Sequence, residues 1–185
     1  TTMTLGDANT ALTLTADVVL NTAGGAMNIN GAVNATTANT ESLTLNAGST
    51  GAVSVVGSLG QTTSLKTLTL ANSNGAMFNA PVTTGTSVVL TDTVAGQTIR
   101  FADNLNTPVL TTTAHGYNLE VLGTTTNVSA ANTATTFLNT GSLVLGNGAG
   151  DTLTFAGGLT ATAPAAISAA GAINTTNKAM TLGDS

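Results

Sequence analysis

The 185-residue sequence has no cysteine and no tryptophan, three prolines and only 6% charged residues. Without cysteine, neither a disulfide framework nor a thiolate metal site can form. An ordinary soluble domain carries roughly 25% charged residues. The surface here must therefore draw its polarity from Thr, Asn, Ser and Gly, neutral hydrogen-bonding groups without a long-range field. Lys66, Arg100 and Lys178 are the only strong bases. Neutralising phosphates takes clustered Lys and Arg, so nucleic acid is excluded as a partner. The net charge of −5 comes from scattered acids and names no partner. No apolar run approaches the roughly 18 residues a membrane helix needs, and no transmembrane segment is expected. Thr1 is neither an initiator methionine nor the start of a basic signal peptide, so the chain reads as a processed or excised segment.

What is present is ordered. Leu, Val, Ile and Phe together exceed the roughly 20% below which disorder is expected, and they recur in triplets with one intervening residue. These are MTL at Met3, LTL at Leu12, MNI at Met27, LTL at Leu43, VSV at Val53, LTL at Leu68, VVL at Val88, IRF at Ile99, LEV at Leu119, LVL at Leu143, LTF at Leu153 and MTL at Met180. Alternation of period two marks a strand with one buried face, and the middle residue, usually Thr, then points outward. Thr and Val suit a pleated surface and are mediocre in helices. Between the triplets stand NTAGGA, NAGSTGA, ANSNGA and GNGAGD, which read as turns. No segment keeps a helical period, so almost no helix is expected.

The spacing selects an all-β parallel β-helix, or β-solenoid. The strands are very short, and returns such as Leu43 to Leu68 and Leu68 to Val88 approach the 20 to 30 residues of a solenoid coil. A sandwich wants longer strands and an aromatic core, whereas aromatics here are 3%. At roughly 20 to 25 residues per coil, residues 1–185 form a single segment of about eight coils, a rod on the order of 40 Å long. Its aliphatics, among them Leu43, Leu45, Leu68 and Leu70, point inward. Its end coils would present unpaired backbone groups that usually need a cap, and neither terminus reads as one. The phrase MTLGD occurs twice, at Met3–Asp7 and at Met180–Asp184. A stack of equivalent segments would show such a recurrence, and so would chance in a chain this biased. Met3, Thr4, Leu5, Met180, Thr181 and Leu182 are the candidate self-association residues, with copies of the chain or adjacent repeats, end to end, as partner.

Glu41 to Leu105 resembles the β-strand-repeat regions of large bacterial surface proteins: filamentous-haemagglutinin-like adhesins, autotransporter passengers and giant cell-surface fibre proteins. The residues that carry this are SLTLNAGSTGAVSV, GSLGQTTSLKTLTL and AMFNAPVTTGTSVVL. The resemblance implies an extracellular, right-handed β-helix serving as stalk, fibre or surface coat, with adhesive ends in many cases. It supplies no catalytic residues and no cofactor.

The expected role is therefore a non-enzymatic, secreted structural segment of a bacterial fibre or surface layer. One alternative is an adhesin stalk that binds glycans or other cells, and a second is a carbohydrate-active enzyme fragment. The enzyme would need acids close together on one face. The acids Asp7, Asp17, Glu41, Asp92, Asp103, Glu120, Asp151 and Asp184 fall mostly one per coil, and Arg100 with Asp103 is the nearest approach to a constellation, read as a solvated pair. His115, Tyr117 and Glu120 could bring an imidazole, a phenol and a carboxylate together, but HGYN reads as a turn entering the strand at Leu119, and no Ser or Cys sits in a nucleophile elbow. Tyr117 is instead a candidate surface contact for a sugar or a neighbouring fibre.

GNGAGDTLTF is similar to the calcium-binding nonapeptide of another β-roll, with Asp151 at the acid position. Asn147 and Ala149 replace its glycines and the next nine residues do not repeat it, so it reads as a Gly-rich turn. Thr-x-Thr pairs at Thr13, Thr67, Thr91 and Thr152 invite comparison with ice-binding solenoids, but their uneven intervals argue for strand propensity alone. Three Asn-x-Ser/Thr sequons, at Asn34, Asn127 and Asn174, are expected from the composition.

Overall fold

The computed structural model describes residues 1–183; Asp184 and Ser185 lie outside the described residues. It contains twenty-two short β-strands and, among the described residues, no helix. Every strand pairs with its neighbours in parallel. The pairing resolves into three faces. On face one, Met3, Met27, Val53, Ala76, Ile99, Leu119, Leu143 and Ile167 stand in one column, so a coil takes 20 to 26 residues. Face two stacks Leu12, Val33, Leu59, Val82, Leu105, Thr126, Leu153 and Ile173. Face three stacks Val18, Leu43, Leu68, Val88 and Leu110, then Thr135, Leu159 and Met180. Between Leu110 and Thr135 a side chain replaces the backbone ladder: the Thr112 hydroxyl donates to the Thr136 carbonyl (3.1 Å) and accepts from the Leu138 N–H (2.7 Å). The chain is thus a β-solenoid of eight three-sided coils, and at about 4.8 Å per coil the rod is roughly 40 Å long.

The alternation in sequence explains the lumen. In Leu43–Asn46 the two leucines are buried and the residue between them is half-buried, and Leu43, Leu45, Leu68 and Leu70 are wholly buried. Each buried leucine contributes about 1.5–3 kcal/mol, while ordering one residue of backbone costs roughly 1–2 kcal/mol. A coil with five or six inward side chains among more than twenty residues cannot stand alone; it is stable only between neighbours. All four phenylalanines also point into the lumen. Phe78 and Phe101, in successive coils, stack with centroids 4.7 Å apart at 7°, and Phe137 meets Phe155 edge-on at 5.9 Å and 82°.

The corners hold the turn phrases. NTAGGA and NAGSTGA both leave face three: Asn21 stacks on Asn46, and each side-chain oxygen accepts the N–H two residues on, from Ala23 (2.9 Å) and Gly48 (3.1 Å). At Gly57 a Cβ would fall on the carbonyl oxygen of Gly31 in the coil below, so this corner closes only without a side chain. Differences in coil length are absorbed at such corners. Ile99 to Leu119 spans 20 residues and Met27 to Val53 spans 26, yet the columns stay aligned.

That alignment corrects one expectation. Uneven intervals do not prevent a threonine ladder: Thr44 stacks on Thr69, the outward column continues through Val89 to Thr111, and it resumes with Thr136, Thr160 and Thr181. The Thr-x-Thr pairs singled out in the sequence do not stack on one another. Thr13 and Thr152 lie on face two, whereas Thr67 pairs with Ser87 on face three.

Candidate functional site

The sequence directs attention to the two ends. At the first coil, the strands Met3–Leu5, Leu12–Leu14 and Val18–Asn21 each have one partner, in the second coil. At the last coil, Ala166–Ala169, Ala172–Asn174 and Met180–Leu182 each have one partner, in the seventh. Each end therefore presents the outer edge of three parallel strands, whose alternate N–H and C=O groups find no strand among the described residues. The lumen is open to match. Met180 and Leu182 are 40% and 41% exposed, Ile167 and Ile173 are only partly buried, and a hollow of about 560 Å³ lies between Pro164, Ala165, Ala166, Ile167, Ala169, Leu182 and Gly183. At the opposite end Leu5, Leu12, Val18 and Leu20 are likewise only partly covered.

The two copies of MTLGD do not occupy equivalent places. Met3–Leu5 is the first strand of a coil, on face one, and Met180–Leu182 is the third strand of a coil, on face three. The offset of the two phrases is not a whole number of coils, so Met180–Leu182 does not continue the column of Met3–Leu5. Asp184 lies outside the described residues.

The candidate chemistry also rearranges. Arg100 does not pair with Asp103. It lies directly beside Glu120 in the next coil, with Nε 2.5 Å from Oε2. In a solenoid the nearest neighbour along the axis is one coil away in sequence, whereas a residue three positions on has already turned the corner. Asp103 instead accepts from the Asn104 N–H at 2.6 Å. His115, Tyr117 and Glu120 are each engaged elsewhere: His115 Nδ1 is 3.3 Å from Asp92 Oδ1, and Glu120 holds Arg100. His115–Tyr117 do lie in the bend that enters the strand Asn118–Val121, with Asn118 already its first residue.

Tyr117 is not a surface contact. It is fully buried, and its hydroxyl accepts the Thr113 N–H at 3.2 Å. Leu119 is the first inward residue of its strand, so the ring two positions earlier lies on the lumen side of the turn. Burial pushes its phenol above the ordinary value of 10.0, against the hydrogen bond from Thr113. The folded state then holds the proton more tightly than the unfolded one, so this stability is complete below pH 10.0 and lost as pH rises through the folded value. Urea unfolding of the parent at about pH 11 is expected to show a lower midpoint than at pH 9, with a smaller drop in Tyr117→Phe. At neutral pH the variant costs about 0.5–1.5 kcal/mol for the lost acceptor. An equal alkaline drop in both proteins would place the effect elsewhere.

Every described acid is engaged. Asp7 accepts from Asn9, which holds its carboxyl below the usual range, and Asp17 accepts from Ser42. Glu41 accepts from Thr36 and Thr37. In the Gly-rich turn, Asp151 is 5% exposed and closes its own loop by accepting from Asn147 and Gly148, both at 2.8 Å. Among the described residues no group of three or more His, Asp or Glu gathers as metal ligands would.

The three sequon asparagines stand in one outward column of face two with Asn106, whose Oδ1 accepts from Asn127 Nδ2 at 3.1 Å. Beside them a shallow groove of about 360 Å³ is lined by Gln61, Thr83, Asn104, Asn106, Thr125 and Asn127 together with Pro81 and Leu105. Of the residues singled out individually in the sequence only the sequon Asn127 lines it, because the groove assembles amides from separate coils and no local motif marks it. No described helix is long and apolar enough to cross a membrane. No protein-family model, no curated protein and no solved structure matches the chain.

Proposed function

We propose that the chain is a non-enzymatic structural segment of an extracellular bacterial fibre or surface layer, assembling by end-to-end stacking of its solenoid. The observation that carries this is the pair of open edges: three parallel strands at each end whose outer side has no strand partner among the described residues, around a lumen whose aliphatic side chains are incompletely covered. Natural edge strands are usually blunted by charge, proline or a covering helix. The last coil, from Ala166, has one charged side chain among its described residues, Lys178, and no proline. The extracellular bacterial setting rests on the resemblance of Glu41 to Leu105 to surface-protein repeats and on a neutral, Thr- and Asn-rich exterior.

The adhesin stalk is the second reading. It is favoured by the groove on face two, where Gln61, Asn104, Asn106 and Asn127 offer neutral amides suited to sugar hydroxyls. Negative-stain electron microscopy of the purified chain at rising concentration tests the first reading. Rods that lengthen in steps of about 40 Å are expected, and single short particles at every concentration would overturn it. Binding on a glycan array by the same material, with no rods, would move the conclusion to the stalk.

A further inference from the structure

We propose, resting on the assembly reading above, that copies join head to tail in one unrotated register, closed by an ion pair between Lys178 of one copy and Asp17 of the next. Faces one and two keep their columns over eight coils, and face three does so apart from the break between Leu110 and Thr135, so the joint that continues all three columns is fixed. Ala166–Ala169 meets Met3–Leu5, Ala172–Asn174 meets Leu12–Leu14, and Met180–Leu182 meets Val18–Asn21. The inward side chains then stack apolar on apolar: Ile167 on Met3, Ile173 on Leu12, Met180 on Val18 and Leu182 on Leu20. A slip of one residue would turn these inward residues outward, which is why register is strongly specified where one face is buried.

Charge selects among the arrangements that remain. The first coil carries two charged side chains, Asp7 and Asp17, both exposed; among its described residues the last carries one, Lys178, also exposed. In the unrotated joint Ala179 stands over Asp17, so the neighbouring Lys178 ammonium reaches that carboxylate. Rotated by one face, so that Met180–Leu182 lies over Met3–Leu5, the same lysine would stand near Thr1 and Thr2. Joined head to head, two first coils would bring their carboxylates together, which is unfavourable. The charges therefore set polarity and disfavour that rotation; the opposite rotation would bring Lys178 over Thr10 beside Asp7, and it is the continuation of all three columns that selects the unrotated joint, with the aliphatic columns supplying most of the contact.

Cysteine cross-linking reads the register directly, because the chain has no cysteine of its own. Thr4 and Ser168 are outward and share a column, so in the proposed joint their Cα atoms lie about 5 Å apart, within disulfide reach. Within one copy they stand at opposite ends of the rod and cannot meet. Under mild oxidation the full chain carrying T4C and S168C is expected to give a ladder of covalent multimers on a non-reducing gel. The chain carrying T4C and T181C is expected to stay monomeric.

Multimers from the second pair and not the first, or rods with neither, would overturn the register and leave the stacking reading standing. Absence of both rods and cross-links would overturn the two together. Lys178→Glu is expected to raise the concentration needed for assembly about tenfold, and Lys178→Glu with Asp17→Lys to restore it. No change in the single variant would remove the ion pair from the joint.

Discussion

Replacing Phe101 with alanine is expected to lower the free energy of unfolding by about 3–5 kcal/mol. The ring is 1% exposed, stacks on Phe78 in the coil below and stands under Val121 in the coil above. The hole left behind cannot close easily, because the backbones on either side are fixed at the ladder spacing by parallel pairing from Thr98 to Phe101. Collapse would have to come from side chains alone, and Phe78 has no room to fill two places. Phe101→Leu should cost much less, since it retains most of the buried volume. Urea unfolding monitored by far-UV circular dichroism checks both. A loss below about 1 kcal/mol for the alanine variant would mean that the lumen repacks freely, which rigid columns do not permit.

The second large effect is a gain. Two copies fused without a linker are expected to unfold in a single transition with a midpoint above that of one copy. From Leu159 on face three to Ile167 on face one takes eight residues. The same count from Met180, carried into the second copy, arrives at its Met3. The fusion therefore continues the coil in phase. It covers Ile167, Ile173, Met180 and Leu182 of one copy and Met3, Leu12, Val18 and Leu20 of the other. Full burial of one such side chain is worth about 1.5–3 kcal/mol. These residues start partly covered and the joint must order its corner, so a net coupling of roughly 3–5 kcal/mol is expected. Inserting a single glycine at the fusion point, where a corner can absorb it, should leave most of the gain. Two copies that unfold at the midpoint of one, with twice the amplitude, would show that the edges do not recognise each other.

Much of this architecture was legible in the sequence. Each of the twelve apolar triplets lies in a strand, and the intervals Leu43 to Leu68 and Leu68 to Val88, read as solenoid returns, are true ladder contacts. Several strands that escaped notice interrupt the apolar alternation. Thr125–Val128 and Leu105–Thr107 each turn a threonine inward, Ala76–Phe78 turns an alanine inward, and Ala166–Ala169 and Ala172–Asn174 each carry a single isoleucine among small or polar residues; Val18–Asn21, with Val18 and Leu20 inward, keeps the alternation and was missed all the same. Within the stack, the inward Thr107 hydroxyl pairs with Thr84 at 2.7 Å across coils, a partner more than twenty residues away that no local pattern reveals, whereas the buried Thr126 hydroxyl has no hydrogen-bond partner among the described residues.

The terminal triplets do lie in the first and last coils, but their phase was not legible. Phase depends on how many residues each corner takes, and the corners vary. Tyr117 was misplaced for a related reason: a polar turn suggests exposure, yet this turn folds its one aromatic ring back over the lumen. The Arg100–Glu120 and His115–Asp92 pairs were invisible because each joins neighbouring coils.

The direction of the hydrogen bonds has a mechanical consequence. In each ladder the N–H···O=C bonds run along the rod axis, so a pull along that axis loads them by opening, one coil at a time, and not by shear across many bonds at once. Each coil that peels away releases 20 to 26 residues, about 70–90 Å of slack at roughly 3.3–3.6 Å per residue. Under tension such a rod yields in a series of small steps, lengthening well beyond its folded span before the chain is taut. A stalk made of these coils would cushion a sudden load by paying out length, and the coils that let go could wind back when the load is removed.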